Sequence, residues 1–347
     1  MTSTSNILQE RKQRWLDFYN LKKPGTPFFI IHYSNGLETR PWPRPDLQPA
    51  RLEWAWHKYL LQLEQVEWLD DDSLPYLDIY TGTEVFAQAL GCQVAYPDDN
   101  MPFALPLIHS AAEVSALKVP HFGDTLLAML FDIADELRRR AGPQALVKMV
   151  DIQSPMDIAA LIWEKASFYT AMIETPQAVL ELADKVRSLL VPFLDEWFQR
   201  YGPEFIAHYP DYYMPRGITL SEDEVGSVSS AMFMDYFLPE LVSLSERYGG
   251  IGMHCCANAR HQWENFKRIP NLRMLNLVQP PEITRQAYEY FADHVAQTHS
   301  YGGEGAAWTW PDQYPQEARV LMDVPLKHAT MLLRLPINYA PGYKIDI

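Results

Sequence analysis

Short apolar runs alternate with longer amphipathic segments along most of the chain. "PFFIIHYSNG" ends in polar residues and a glycine, and "ALVKMVD", "EFIAHYPDYY", "GGIGMHCC", "LRMLNLV", "HVAQTHSYGG" and "ATMLLRL" are further apolar runs of this kind. Helical patterns begin at about residues 156, 258 and 282. Strands that alternate with helices of this length favour βαβ units and a parallel sheet.

A (β/α)8 barrel fits this pattern better than an open sheet does. The chain has 347 residues, no evident linker and no Gly-rich dinucleotide loop after a strand. Residues 5–22 predict a helix with Trp15 and Phe18 on one face, and a Lys-Lys-Pro-Gly break follows. We therefore expect an N-terminal helical extension over residues 1–26 and a barrel over residues 27–347.

The charge balance excludes two classes of partner. The 44 acidic and 29 basic residues give a formal net charge of −15, which would repel nucleic acid and anionic membranes. The N-terminus lacks the apolar core of a secretory signal, and no apolar run reaches eighteen residues. Three cysteines cannot form a disulfide framework, so we expect reduced thiols and a cytoplasmic protein. Because nucleic acid and membranes are unfavourable partners, we expect the protein to act on a small molecule.

Candidate chemistry follows from the fold, because a barrel enzyme places its active site at the carboxyl ends of its strands. A polar residue at a strand end is also often a helix cap, so convergence on one face is the deciding property. The candidates are His32, Tyr33, Asp78, Asp151, His208, Asp211, Tyr212, Tyr213, His254, Cys256, His299 and Glu304.

His254 and Cys256 form the most specific pattern among these candidates. Residues i and i+2 of a strand project to the same face, so both side chains would point to the barrel mouth while Cys255 faces the helices. An imidazole and a thiolate supply half of a catalytic zinc site, which takes three protein ligands. The alternative is that both cysteines are small buried residues and the histidine is hydrogen-bonded.

Two acidic runs are predicted to be structural. The run "LDDDS", with Asp70, Asp71 and Asp72, is typical of a solvated loop. In "SEDEVGS", Glu222, Asp223 and Glu224 are expected to cap the helix that follows, the alternative being that Asp223 reaches into the site.

Three segments together resemble the uroporphyrinogen decarboxylase superfamily over about residues 27–300. They are "DIQSPMDIAALIWEKASFYTAMIETPQAVLELADKV", "GITLSEDEVGSVSSAMFMDYFLPELVSL" and "GMHCCAN", the last being similar to an H-x-C-G-N strand end of its methyltransferase branch. The resemblance implies a (β/α)8 barrel and one of two activities. One is decarboxylation without a cofactor, and the other is zinc-dependent methyl transfer to or from a corrinoid or a thiol.

Departures from the family pattern favour the methyltransferase branch. Decarboxylases of this superfamily carry two arginines that hold the substrate carboxylates, and the matching positions here are His32 and Gly36. Losing both arginines removes most of the charge-assisted hydrogen bonds that would hold a polyanionic substrate. Asp78 in "YLDIY" does match the essential aspartate of the decarboxylases.

The methyltransferase branch also uses a third ligand, a cysteine near the last strand, which "ATMLLRLPINYAPG" lacks. Glu304 and His299 are the nearest replacements, so the predicted zinc ligands are His254, Cys256, Glu304 and His299. Corrinoid is implied as methyl donor or acceptor, with a corrinoid protein as a possible partner.

The sequence therefore predicts a metal-dependent, methyltransferase-like enzyme acting on a small methylated substrate. In this interpretation Asp78, His32 and Asp151 place or protonate the substrate, and the residues expected to bind it are Tyr33, His208 and Tyr213. The alternatives are a cofactor-free decarboxylase and a barrel that binds a small ligand without turnover. In the last case, aromatic residues such as Trp308 and Trp310 would line the pocket.

Overall fold

The structure is a computed structural model that describes residues 4–20, 28–32, 36–300, 314–315 and 317–325. Its strands are β1 Phe28–His32, β2 Tyr76–Leu77, β3 Val94–Ala95, β4 Phe103–Ala104, β5 Leu146–Lys148, β6 Phe205–Ile206, β7 Tyr213–Met214, β8 Ile218–Ser221, β9 Ile251–Cys255, β10 Leu272–Leu277, β11 Ala296–Ser300 and β12 Val320–Pro325.

The helices lie between these strands and cover the outside of the sheets. They are α1 Thr4–Tyr19, α2 Gln48–Gln65, α3 Val85–Ala89, α4 Ala111–Val114, α5 Leu127–Ala141, α6 Pro155–Ile162, α7 Lys165–Glu174, α8 Pro176–Tyr201, α9 Ser230–Met232, α10 Leu238–Tyr248, α11 Trp263–Phe266 and α12 Pro281–Tyr290. In the described part of the chain, no helix combines the length and the apolar character that crossing a membrane requires.

Parallel strands form the barrel wall, which confirms the predicted (β/α)8 class. Six of the described strands make one parallel sheet in the order β1-β12-β11-β10-β9-β8, and β2, β5 and β6 run parallel to one another in a second sheet, β2-β5-β6-β7. A parallel bridge between Gln153 and Ser221 joins the chain after β5 to β8. The strands thus lie in two adjoining sheets rather than in one continuous ladder.

A second junction, the seam beside β1, lies on the side of β1 that faces away from its partner strand β12. Aspartate side chains there replace part of the backbone hydrogen-bond ladder. The Asp72 amide donates to the Phe29 carbonyl, and the Asp72 and Asp71 carboxylates accept the amides of Phe29 and Ile31, all at 2.9 Å. Arg11 lies 3.1 Å from Asp71. The expectation of a solvated loop is therefore wrong for Asp71 and Asp72, which are 2% and 0% exposed, because they satisfy strand amides that no neighbouring strand reaches.

The N-terminal helix α1 packs against the start of β1, at the amino end of the barrel. Trp15 and Phe18 are buried, and the Phe18 ring stacks on Phe28 with centroids 4.4 Å apart. Each buried aromatic contributes roughly 1.5–3 kcal/mol through removal of its surface from water. The predicted extension is thus part of the barrel's packing and lies opposite the carboxyl ends of the strands.

The sequence pattern did not predict two strands of the barrel, β8 and β12. β8 is only four residues long and runs directly into acidic residues, while β12 contains Asp323 and ends at Pro325. The predicted strand in "EFIAHYPDYY" is β6, which pairs in parallel with β5 and also forms an antiparallel hairpin with β7. The predicted final strand, "ATMLLRL", lies outside the described residues.

Candidate active site

A cavity of about 550 Å³ opens at the carboxyl ends of the barrel strands. It brings together six of the predicted residues, His32, Asp151, His208, Asp211, His254 and Cys256, from four different strands or the loops after them. Its other charged lining residues are Arg40, Lys148, Asp223 and Asp323.

His254 and Cys256 meet at the end of β9. His254 Nε2 lies 2.9 Å from Cys256 Sγ, and His254 Nδ1 is hydrogen-bonded to Asn276 Oδ1 on the adjacent strand β10. The Asn276 amide nitrogen donates to Thr298 Oγ1, so its oxygen is the atom that faces the imidazole. This assigns the proton to Nδ1 and leaves the Nε2 lone pair directed at the thiol.

The surroundings of this pair keep both groups uncharged. Burial lowers the pKa of His254, and burial together with the charges of Asp223 and Asp151 raises the pKa of Cys256 to about 11. Cys255 is fully buried on the opposite face of the strand, as alternation predicts. The neutral imidazole nitrogen and the thiol sulfur are donors that suit zinc. Within the described ranges, no third His, Cys, Asp or Glu completes a metal-binding group.

The backbone around Cys256 is held by Asp223. The Asp223 carboxylate accepts the Cys256 amide at 2.5 Å, and Asp223 also lines the cavity. No side-chain cap bond joins Asp223 to the short helix Glu224–Gly226 that follows it. The predicted capping role is therefore wrong for this side chain, and the alternative holds, because Asp223 accepts the amide that follows the neighbouring strand β9 and lines the cavity.

A second polar group lies beside the pair. His208 Nε2 is 3.1 Å from Ser221 Oγ and 3.4 Å from Asp151 Oδ1. Burial, followed by the charges of His254 and Lys148, lowers the pKa of His208 to about 3, so this imidazole is neutral at pH 7. Burial also raises the pKa of Asp151 from 3.8 to about 7, against the attraction of Lys148. Asp151 is thus a proton donor or acceptor poised near neutrality.

Asp78 belongs to a buried ionic cluster beneath the cavity. Its carboxylate is 2.6 Å from Lys58 Nζ and 3.7 Å from Lys148 Nζ, and Lys148 is 2.6 Å from Asp211. Burial opposes ionisation of Asp78, but the two lysines outweigh it and lower its pKa. The Tyr76 hydroxyl also donates to Asp211. Lys148 and Asp211 reach the cavity lining, whereas Asp78 does not.

His32 forms an ion pair with Asp323 across β1 and β12. Burial disfavours the charged imidazole, but the hydrogen bond and charge of Asp323 prevail and raise the pKa of His32. The His32 side chain is 48% exposed, which leaves it accessible from the cavity.

Tyr213 does not belong to the cavity, and three other predicted residues fall wholly or in part outside the described part of the chain. Tyr213 is buried and packs against α1, with Lys12 Nζ 5.7 Å from its ring centroid, and it does not line the cavity. Tyr209, four residues earlier, does line it, with its ring edge-on to His254 at 4.8 Å. Tyr33 and Glu304 lie outside the described residues. The backbone of His299 is in β11, but its side chain is outside the described part.

Sequence reasoning did not select Arg40, Lys148 or Asp323. Lys148 carries a usable signal, because a lysine inside the apolar run "ALVKMVD" has to be buried with a counter-ion. Arg40 lies in a proline-rich loop and Asp323 in an unrecognised strand, so neither offered such a signal.

Comparison with known proteins agrees with this architecture. Residues 76–295 match the sequence model of a family described as uroporphyrinogen decarboxylase (URO-D). The structure resembles that of a methyltransferase from Methanosarcina mazei with a TM-score of 0.66 and 12% sequence identity, over 90% of this chain and 92% of that one. At this identity the likeness concerns the fold. A search of curated protein sequences found no match.

Proposed function

This chain belongs to the uroporphyrinogen decarboxylase family, and we propose that it is a metal-dependent enzyme of methyl transfer acting on a small methylated substrate. The observation that supports this proposal is the His254 and Cys256 pair, 2.9 Å apart, with the imidazole lone pair facing the sulfur. Such a pair at the mouth of a barrel cavity suits a catalytic zinc ion, which keeps one position for substrate.

His254 Nε2 and Cys256 Sγ would hold the metal. Glu304 and His299 remain the predicted sources of a further ligand. When bound, zinc supplies Lewis acidity, which lowers the pKa of a coordinated thiol and makes it a better methyl acceptor. The Asn276 and Thr298 chain would orient the imidazole in the way that outer groups orient metal-bound histidines.

Residues around the pair would handle protons. Asp151, with a pKa of about 7, is suited to take a proton from an acceptor or return one to a leaving group at neutral pH. Neutral His208 lies 3.4 Å from Asp151 and adds no positive charge that would hold this carboxyl group ionised. His32, charged through Asp323, is suited to donate a hydrogen bond from the opposite wall.

The environment of Asp78 argues against the decarboxylase alternative. That alternative needs a carboxylate in contact with substrate, whereas both lysines and burial hold the Asp78 carboxylate out of the cavity. A corrinoid, free or carried by a protein, is the proposed methyl donor or acceptor.

Metal loading tests the proposal directly. We expect protein loaded with Co²⁺ and desalted to retain about one ion per chain and to show a near-ultraviolet thiolate-to-cobalt absorption. Cys256→Ser should lose the absorption and His254→Gln should lose most of the metal. Cys255→Ala is the matched control, since Cys255 lies on the other face of the strand. Wild-type protein that retains no cobalt, or a Cys256→Ser spectrum equal to that of wild type, would overturn the proposal.

Activity can be measured with methylcobalamin as donor and a small thiol as acceptor. We expect the rate of demethylation of the corrinoid to depend on added zinc and on Cys256. Methylated amines and methoxylated aromatics tested by thermal shift would identify the substrate group, because a ligand raises the melting temperature by mass action.

A further inference from the structure

Arg40 is a cation of the cavity without a carboxylate partner among the described residues. The other cations on the cavity wall are occupied, since Lys148 is paired with Asp211 and His32 with Asp323. Arg40 also lines a second cavity of about 460 Å³ that adjoins the first. Its charge therefore lies where the two cavities meet and is not needed to balance a neighbouring residue.

The Arg40 guanidinium rests on a fixed aromatic platform. Its central carbon lies 3.4 Å from the centroid of the Tyr80 ring and 5.9 Å from that of Trp54. Tyr80 is itself held, because its hydroxyl donates to Met101 Sδ at 2.7 Å. A guanidinium stacked on a ring keeps its N–H donors directed outward along the edge of the guanidinium plane. Because the arginine side chain is already ordered, a ligand does not have to pay the conformational entropy of ordering it.

The wall near Cys256 is acidic. Asp223 and Asp151 line it, and no lysine or arginine is paired with them in the part of the chain that the structure describes. The Asp151 amide donates to Thr81 Oγ1, beside the Tyr80 ring, so this carboxyl group also lies toward the Arg40 side of the cavity. A ligand with several negative charges would be repelled by these carboxylates. A single anionic group, held by the Arg40 guanidinium, matches the distribution of charge in the cavity.

We propose that the substrate is a small methylated carboxylate whose carboxylate group is bound by the Arg40 guanidinium, with its methyl-bearing atom directed toward His254 and Cys256. This inference rests on the proposed function and names its substrate class. Planar carboxylate and guanidinium groups pair through two parallel hydrogen bonds, so Arg40 would set both the position and the direction of the substrate. Tyr209, whose ring lies 4.8 Å from that of His254, adds aromatic surface to the wall at this end.

Two pairs of probes separate the carboxylate from the methyl group. Glycine betaine is compared with tetramethylammonium, and 4-methoxybenzoate with 4-methoxybenzyl alcohol, by calorimetric titration of the zinc-loaded protein. We expect at least one carboxylate to bind more tightly than its partner compound. Arg40→Gln should lower the affinity for that carboxylate about tenfold or more and leave the affinity for its uncharged or cationic partner compound unchanged.

Arg44→Gln is the matched control, because Arg44 lies in the same loop but pairs with Asp46 and Asp98 and lines neither cavity. Arg40→Lys keeps the charge without the planar fork and should give an intermediate affinity. Melting temperatures verify that each variant is folded.

The inference is overturned if neither carboxylate binds, or if Arg40→Gln and Arg44→Gln bind the carboxylates as wild type does. Cobalt content and absorption, measured on cobalt-loaded portions of the same protein preparations, report the metal site separately. If cobalt is retained but Arg40→Gln has no effect on carboxylate binding, only the proposed substrate class is overturned. If the wild-type protein does not retain cobalt, the proposed function is overturned, regardless of the results with the carboxylates.

Discussion

The two ends of the active-site wall use polar groups in opposite ways. In the cluster of Asp78, Lys58, Lys148 and Asp211, each charge is neutralised by another charge of the same cluster. At the end of β9, the His254 lone pair faces a thiol and no counter-ion. The first arrangement is typical of a support, and the second leaves bonding capacity for a ligand.

This difference shows why a matching residue type is not enough to assign a role. Asp78 lies in a "YLDIY" segment that resembles the decarboxylase motif, yet its charge is committed to two lysines. A carboxylate so paired cannot stabilise a substrate cation without first giving up its partners. The comparison predicts that changes in the cluster alter stability, whereas changes around β9 alter metal binding.

The largest effect is expected from Lys148→Met. The change removes the buried cation that lies between Asp78 and Asp211, and it should lower the free energy of unfolding by about 3–5 kcal/mol in urea titrations. Lys165→Met is the control, because Lys165 is 48% exposed and pairs with Glu224 at the surface, where a loss of about 1 kcal/mol or less is expected. Equal losses in the two variants would contradict the role of the cluster as a support.

Asp72→Ala should have the next largest effect. The change removes the acceptor of the Phe29 amide and the buried partner of Arg14, so a loss of about 1–3 kcal/mol is expected. Asp70→Ala is the matched control, since Asp70 is exposed in the same run. Should the two variants unfold at the same urea concentration, the seam beside β1 does not depend on this carboxylate.

The acidic run containing Asp72 also shows what the sequence could not provide. Its composition is that of a loop, and only the three-dimensional path reveals that β1 lacks a neighbouring ladder at that point. By contrast, the alternation of apolar runs and helices determines the barrel class, and the period of two places His254 and Cys256 on one face. Local pattern thus predicts the layers and the direction of side chains within one strand.

Contacts between distant segments are not available from local pattern. The contacts from His254 to Asn276 and from Asn276 to Thr298 depend on the neighbouring order of β9, β10 and β11. Asp323 lies in β12, a strand that was not predicted because a charged residue interrupts its apolar pattern. Lys148 could have been found, because a lysine in a buried strand requires an anion, but the identity of that anion could not. The candidate site was therefore predictable as a set of strand ends, but not as a set of partners.

Asn276→Ala tests the other side of the comparison. It removes the acceptor that keeps the proton on His254 Nδ1, and metal affinity should fall about 10- to 100-fold in a competition titration with a chromophoric chelator. Asn276→Asp should restore affinity, since a carboxylate is also an acceptor for this N–H. Asn265→Ala is the control, because Asn265 bonds Ser230 and Gln262 away from the cavity. Unchanged affinity in Asn276→Ala would separate this hydrogen bond from metal binding.

The last comparison concerns the pH dependence of stability and arises from Asp151, and its effect within any one pH unit is small. Burial raises its pKa from 3.8 to about 7, so between about pH 4 and pH 7 the folded protein keeps a proton that the unfolded chain releases. Stability from this group is therefore lost as pH rises through that interval, by at most about 1.4 kcal/mol per pH unit.

Asp151→Asn removes the titration, so its free energy of unfolding should rise relative to wild type from pH 4 to pH 7 and then run parallel to it. Asp157, whose pKa is also raised to about 7, is present in both proteins and cancels in the difference. Glu84 cancels only in part, because the charge of Asp151 contributes to its raised pKa, so Glu84→Gln is introduced into both proteins. Urea titrations at each pH measure that difference. If it stays constant over the whole interval, Asp151 ionises normally and cannot be the near-neutral proton donor that distinguishes the open end of the wall from the paired cluster.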